Sequence, residues 1–127
     1  ADAAFTRISG GERQLTLIAR ALAQDTKLLV MDEPTASLDF GNQVKVLEQV
    51  MALAGSGIGV LLSTHDPDHA LLVGDRVALM HGGTLAAVGK PREVLTPRAL
   101  REVYGVDVRI EDILWEDGPP RPVCVPA

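Results

Sequence analysis

The chain has 127 residues, of which 46% are apolar, and this size suits one compact domain or part of a larger one. A formal net charge of −5 argues against a nucleic-acid-binding surface, although a local basic patch is compatible with it. The single cysteine, Cys124, excludes an internal disulfide, and no apolar run approaches the ~20 residues that span a bilayer. We therefore expect an intracellular protein without a signal peptide, in which Cys124 is inert.

The first patterned stretch is the sequence SGGERQ at residues 9–14. Apolar residues follow it at the spacing of one helix face: Leu15, Ile18, Ala19 and Leu22. Ser9 and Glu12 have capping-box spacing, which predicts that the helix begins at Ser9. Capping does not explain Gly10 and Gly11, since a glycine costs about 1 kcal/mol inside a helix. Glycines at a helix N-terminus let an anion reach backbone N–H groups, so phosphate is the expected ligand.

The sequence KLLVMD at residues 27–32 predicts a strand that is buried on both faces of a parallel sheet, because its apolar run is continuous. Asp32 and Glu33 stand where this strand ends, and Pro34 turns the chain out of the sheet. Two carboxylates are costly at such a position without a partner. Ligands bind at the carboxyl edge of an open α/β sheet, so we expect a metal ion and a phosphate there.

A helix and a second strand follow, and with the first strand they predict a right-handed βαβ unit. Asp39 has the position of an N-cap, and the helix is expected over residues 40–54. Three residues are expected to line its apolar face: Val44, Leu47 and Met51. Residues 59–64 predict a second buried strand, which His65 follows directly. If the two strands are neighbours, His65 lies at the same sheet edge as the two acids.

The C-terminal part of the chain predicts an antiparallel hairpin and short helices. The expected strands cover residues 76–80 and 84–88, and the expected helices cover residues 66–72, 91–95 and 96–100. The tail from residue 106 alternates in polarity and turns at the sequence GPP. Its prolines restrict it to a small edge strand.

Four stretches resemble, in order, the motifs of ABC-transporter ATPases. Residues 8–14 resemble the signature motif, residues 28–33 the Walker B strand, residues 37–39 the D-loop, and His65 the switch histidine. The resemblance covers essentially the whole chain but only the C-terminal half of the family's domain, because the sequence contains no Gly-x-x-x-x-Gly-Lys-Ser/Thr loop. It implies a partial α/β fold of the three-layer P-loop NTPase type, with a parallel βαβ core and a C-terminal β-hairpin with short helices. Residues 1–127 would then be the C-terminal portion of one ATPase domain.

The resemblance implies ATP and Mg²⁺ as cofactors and gives three residues a role within one subunit. Asp32 would help to hold Mg²⁺ through its water shell, Glu33 would act as general base on the attacking water, and His65 would contact the γ-phosphate. Phosphoryl transfer needs positioning and charge stabilisation, which these residue types supply. The structural alternatives are that Asp32 is a solvated acid at the strand end, that Glu33 is a salt-bridge partner, and that His65 is a polar residue whose hydrogen bonds are satisfied.

A second group of residues acts across a dimer in this family. The resemblance implies that the signature residues contact ATP bound by the opposite subunit: Ser9, Gly10, Gly11 and Glu12. Asp39 would signal across the same interface, a role that is compatible with capping a helix. Glu12 replaces the glutamine of many relatives, but it also completes the capping box.

Three further stretches are informative within the family: PTASLDFGNQ at residues 34–43, GKPREVLT at residues 89–96 and VYGV at residues 103–106. They resemble the ATP-binding subunits of bacterial importers for iron–siderophore complexes, haem or cobalamin. The resemblance implies a second ATPase subunit and membrane-spanning permease subunits as partners, no nucleic acid, and a peripheral location on the cytoplasmic face of the inner membrane. Without a Walker A loop, we expect the 127 residues to be inactive alone and to expose part of their core.

Three alternatives compete with this interpretation. The first is that the chain is a catalytically inactive, truncated fragment that serves as a dimerisation module. The second is that it is an ATPase head of the SMC or DNA-repair type. The second is disfavoured because the sequence shows no heptad coiled coil and is acidic. The third is a zinc site at His65 and His69, which is disfavoured because Pro67 lies between them and a helix starting at Asp66 excludes His65 from its face.

Overall fold

The computed structural model describes the backbone of residues 10–127 and the side chains of residues 13–127. It divides into two compact units, Ala1–His65 and Asp66–Ala127, which we call the N-terminal and C-terminal units. No helix among the described residues is long and apolar enough to cross a membrane.

The described N-terminal unit consists of two helices and two strands. In chain order these are α1 (Gly10–Ala23), β1 (Leu28–Asp32), α2 (Phe40–Gly55) and β2 (Gly59–Ser63). The strands pair in parallel, from Leu28 opposite Gly59 to Asp32 opposite Ser63. This pairing confirms the predicted neighbouring strands, which need the long connection through α2 because they run in the same direction.

The core of the N-terminal unit lies on one face of the strand pair. Five side chains form it: Ile18, Met31, Val46, Val50 and Leu53. On the other face Leu28, Val30 and Leu61 remain 59%, 64% and 62% exposed. The prediction that both faces are buried is therefore wrong for the described residues. Successive strand side chains point to opposite faces, and the described helices cover one of them.

The buried face of α2 is also rotated from the one predicted. Val46, Val50 and Leu53 are buried on it together with Leu47, whereas Met51 is 37% exposed. Sequence periodicity places Leu47 correctly, but two helix faces of similar apolarity are present. Packing against α1 and β2 selects the face that contains Val46 and Val50.

The C-terminal unit contains two antiparallel hairpins and three short helices. In chain order they are α3 (Pro67–Val73), β3 (Val77–His81), β4 (Thr84–Gly89), α4 (Pro91–Val94), α5 (Pro97–Tyr104), β5 (Val108–Trp115) and β6 (Gly118–Pro126). The β3–β4 hairpin and the helices confirm the prediction within a few residues at their ends.

The C-terminal tail forms a longer hairpin than predicted. β5 and β6 pair from Val108 opposite Pro126 to Trp115 opposite Gly118. In a two-stranded ribbon each strand is an edge, so prolines are tolerated without breaking the pairing.

The core of the C-terminal unit is centred on Leu71, Val94, Leu95 and Leu100. A side chain of α3 also ties this helix to the second hairpin, since the backbone N–H of Cys124 donates to Asp68 Oδ1 at 2.6 Å. This hydrogen bond and the packing of the tail against the core of the unit explain why the tail forms the β5–β6 hairpin.

Candidate active site

Three of the predicted site residues, Asp32, Glu33 and His65, lie where the two parallel strands of the N-terminal unit end. Asp32 is the last residue of β1 and lies opposite Ser63, the last residue of β2. Glu33 follows Asp32, and His65 lies two residues beyond Ser63. Parallel pairing puts both carboxyl ends at one edge, so a polar cluster forms from residues about thirty positions apart.

Glu33 and His65 are in direct contact. The Nδ1 atom of His65 lies 2.8 Å from Glu33 Oε1, and the two side chains are 73% and 41% exposed, respectively. In the ring tautomer that carries its proton on Nδ1, His65 donates a hydrogen bond to Glu33 Oε1. The structure thus confirms that His65 reaches the acidic edge. The catalytic roles of Glu33 and His65 stay predictions.

The backbone of Glu33 is held in an unusual conformation. Its φ angle is +44°, in the left-handed region that a non-glycine residue rarely adopts. The N–H of Glu33 donates to the Ser63 backbone oxygen at 3.1 Å and to Ser63 Oγ at 2.9 Å. Strain of this kind is found preferentially at functional sites, where the surrounding structure maintains it.

Ser63 is a site residue that the sequence interpretation missed. Its hydroxyl donates to Asp32 Oδ1 at 2.5 Å while its oxygen accepts the Glu33 N–H. The signal available in the sequence was a hydroxyl residue at the end of the second strand. Only the strand register shows that this residue faces Asp32.

Asp39 caps α2, as predicted. Its Oδ1 accepts the backbone N–H of Asn42 at 2.8 Å. The loop before it is also held in place, with Ser37 at φ +62°, Thr35 buried, and Gln43 Nε2 donating to the Thr35 carbonyl at 3.4 Å. The capping role of Asp39 is therefore shown, and its role across a dimer stays a prediction.

The signature residues are only partly described. Gly10, Gly11 and Glu12 form the first turn of α1, whereas Ser9 lies outside the described residues. Their contacts with phosphate therefore stay predictions.

The described residues fit Mg²⁺ better than a metal bound by protein side chains alone. Residues 13–127 contain no group of three or more His, Cys, Asp or Glu side chains that could hold a metal ion. A single carboxylate, Asp32, suits Mg²⁺, which keeps several waters and takes the remaining ligands from phosphate oxygens. His65 precedes α3 and His69 lies within it, so the two histidines do not share one helix face.

The chain is similar to known nucleotide-binding proteins in sequence. A family model described as "AAA domain, putative AbiEii toxin, Type IV TA system" matches residues 3–68. An "Uncharacterized ABC transporter ATP-binding protein" of Haemophilus influenzae is 46% identical over 100 residues, which is 79% of this chain and 38% of that protein. The "Hemin import ATP-binding protein HmuV" of Pseudoalteromonas translucida is 39% identical over 128 residues, or 94% of this chain and 49% of that protein. The chain thus spans less than half the length of these relatives.

Solved structures show the same likeness. "An inward-facing conformation of a putative metal-chelate type ABC transporter" superposes with a TM-score of 0.83 at 32% identity, over 97% of this chain and 49% of the matched chain. A dimeric ATP-binding cassette in a post-hydrolysis state, bound to ADP and Pi, superposes with a TM-score of 0.57 at 32% identity, over 68% of this chain and 38% of that one.

The described strands and helices, with these likenesses, define an α/β fold of the P-loop NTPase type. The chain belongs to the family of ABC transporter ATP-binding proteins.

Proposed function

We propose that residues 1–127 form the C-terminal portion of one ABC ATPase domain and supply the hydrolytic side of its ATP site. The observation that carries this proposal is the 2.8 Å contact between Glu33 and His65 beside Asp32. A carboxylate with a partner ring nitrogen, next to a second carboxylate, is an arrangement suited to activating water near a phosphate.

Each of the three residues has a task in this mechanism. Glu33 accepts a proton from the attacking water, and its carboxylate is held by the contact with His65. His65 orients Glu33 through Nδ1 and helps to hold the γ-phosphate. Asp32 would help to hold Mg²⁺, which when bound would supply charge neutralisation to the phosphate oxygens.

The signature residues complete the site of a second subunit in this proposal. Gly10, Gly11 and Glu12 form the first turn of α1, where backbone N–H groups attract an anion, and Ser9 precedes them in the sequence. They would contact the ATP of the opposite subunit, and Asp39 would lie at the same interface. The dimeric cassette among the structural relatives, which is bound to ADP and Pi, supports this arrangement.

The proposed cargo class is an iron–siderophore complex, haem or cobalamin. The relatives named for hemin import and the metal-chelate type transporter support this class by kinship. The proposed partners are a second ATPase subunit and membrane-spanning permease subunits. With these partners, the proposed location is the cytoplasmic face of the bacterial inner membrane.

A non-catalytic dimerisation module is the second candidate. It is favoured by the absence of a Gly-x-x-x-x-Gly-Lys-Ser/Thr loop from the 127 residues, since this loop cradles the phosphates in the NTPase class. Such a module would keep the signature surface but would not turn over ATP.

Measurements on two proteins separate these candidates. One is the 127-residue chain, and the other is the same chain joined to the phosphate-binding half of an ABC ATPase domain. Calorimetry measures MgATP binding and a phosphate-release assay measures hydrolysis. We expect neither activity from the chain alone and both from the joined protein.

The Glu33→Gln variant of the joined protein tests the general base. It should keep MgATP binding and lose about 10²- to 10⁴-fold of the hydrolysis rate, the range that a general base contributes. Glu48→Gln is the matched control, because Glu48 is an exposed acid within α2 and takes no part in the strand-edge contacts described above. Near-normal hydrolysis in Glu33→Gln would remove Glu33 as the base. No hydrolysis by the joined wild-type protein would favour the module, and micromolar binding with turnover by the chain alone would require a different phosphate site.

A further inference from the structure

The hydroxyl of Ser63 links both acids of the strand edge. It donates its single proton to Asp32 Oδ1 at 2.5 Å, and its oxygen accepts the backbone N–H of Glu33 at 2.9 Å. One side chain therefore contacts the carboxylate of one acid and the backbone of the next.

Both contacts restrict a group whose geometry matters for hydrolysis. The bond to Oδ1 selects one orientation of the Asp32 carboxylate, because an exposed side chain otherwise samples several rotamers. The bond from the Glu33 N–H holds a residue whose φ is +44°, a strained conformation that persists only where the surrounding structure supports it.

We propose that Ser63 is a positioning residue, which sets the Asp32 carboxylate and the Glu33 backbone together for hydrolysis. The hydrolytic part of this inference rests on the proposed function. The geometric part concerns this chain alone: the Ser63 hydroxyl maintains the Glu33–His65 contact by fixing the Glu33 backbone. His65 follows Ser63 by two residues, so the same strand end carries both the hydroxyl and the ring.

Two observations argue against a purely structural role for the Ser63 hydroxyl. Ser63 is exposed, so its hydroxyl does not serve to pair a buried polar group. The Glu33 N–H also keeps its bond to the Ser63 backbone oxygen at 3.1 Å, which is independent of the side chain. The Ser63→Ala variant should therefore retain the β1–β2 pairing and still fold.

The test compares three variants. Ser63→Ala removes the hydroxyl, and Ser63→Thr restores it with a β-branched side chain that suits a strand. Ser56→Ala is the matched control, because Ser56 Oγ donates to the Leu53 carbonyl at 2.7 Å in the same unit, at the end of α2. This control loses one hydroxyl hydrogen bond without touching the acidic edge.

The first readout is NMR of the 127-residue chain and needs no activity. We expect Ser63→Ala to shift the Glu33 amide signal and the His65 ring ¹⁵N signals, with Ser63→Thr close to the wild type and Ser56→Ala unchanged at both residues. Unchanged Glu33 and His65 signals in Ser63→Ala would overturn the proposal. Equal shifts in Ser56→Ala would also overturn it, because they would report a general loss of stability.

The second readout is hydrolysis by the joined protein described above. We expect Ser63→Ala to lower kcat about tenfold or more, the effect of losing a hydrogen bond to a charged group, and to leave KM for ATP within about twofold. The rate should return in Ser63→Thr. Normal kcat in Ser63→Ala, or a Ser63→Thr variant as slow as Ser63→Ala, would refute the positioning role. If the wild type did not hydrolyse ATP, the proposed function would fail while the NMR comparison would still decide the geometry.

Discussion

The two units of this chain use strand pairing in opposite ways. β1 and β2 of the N-terminal unit run in parallel, so the residues at their carboxyl ends, Asp32 and Ser63, lie opposite each other. The strands of the C-terminal unit pair as antiparallel hairpins, in which the end of one strand faces the start of the next. Parallel pairing therefore collects strand-end residues into one cluster, whereas a hairpin separates them.

The charged residues of the two units differ accordingly. In the C-terminal unit they form exposed ion pairs: Arg92 with Asp112, Arg98 with Glu102 one turn further along α5, and Arg101 with Asp107. Such pairs contribute little, with a median of about 0–1 kcal/mol. In the N-terminal unit the acids converge with a serine and a histidine instead. The comparison shows that strand direction, more than the number of charged residues, decides which unit carries the site.

The largest expected effect is a loss of stability from substitutions in the two cores, and it tests whether the two units unfold separately. Leu53→Ala and Leu100→Ala each remove a side chain that is almost fully buried, in the N-terminal and C-terminal unit respectively. We expect each change to lower the free energy of unfolding by about 2–5 kcal/mol. Urea unfolding can be followed by circular dichroism and by the fluorescence of Trp115, the single tryptophan, which lies in the C-terminal unit. Leu100→Ala should shift the Trp115 transition more than Leu53→Ala does, and equal shifts would contradict separate cores.

Removing either of two helix caps should lower stability by a smaller amount, and only one of the two removals should also change hydrolysis. Asp39 caps α2 through Asn42, and Thr96 caps α5 by accepting the Ala99 N–H at 3.1 Å. Alanine at either position should lower the free energy of unfolding by about 1 kcal/mol. Only Asp39→Ala should also reduce hydrolysis by the joined protein.

Asp39→Asn separates the two roles of Asp39, because asparagine is as good an N-cap as aspartate. Stability should return in this variant. Hydrolysis that returns completely with it would show that Asp39 acts only as a cap.

The smallest expected effect is confined to the C-terminal unit. Burial, together with the nearby Asp68 and Asp66 carboxylates, raises the pKa of the Cys124 thiol from 9.0 to about 11. Folding therefore favours the protonated thiol, and this contribution to stability is present below pH 9 and is lost as the pH rises towards 11. At pH 8 iodoacetamide should alkylate Cys124 about tenfold or more slowly in the folded protein than in urea. Equal rates would contradict the raised pKa.

The sequence by itself determined which side chains gather at the acidic strand edge and approximately where that edge lies. Asp32, Glu33 and His65 were assigned to one sheet edge because two apolar runs separated by a helix pair in parallel, and the structure confirms that placement. Asp39 was assigned as a cap because a polar residue before a periodic helix has that role. These assignments depend on local patterns, which a sequence contains in full.

Tertiary structure alone decided the contacts within the site and the faces that pack. The role of Ser63 follows from strand register, and the left-handed backbone of Glu33 follows from its hydrogen bonds to the neighbouring strand. The exposure of Val30 in β1 and of Met51 in α2 depends on which elements cover each face. Hydrophobicity gives a residue's preference for burial, but its actual partner is set by elements distant in the chain.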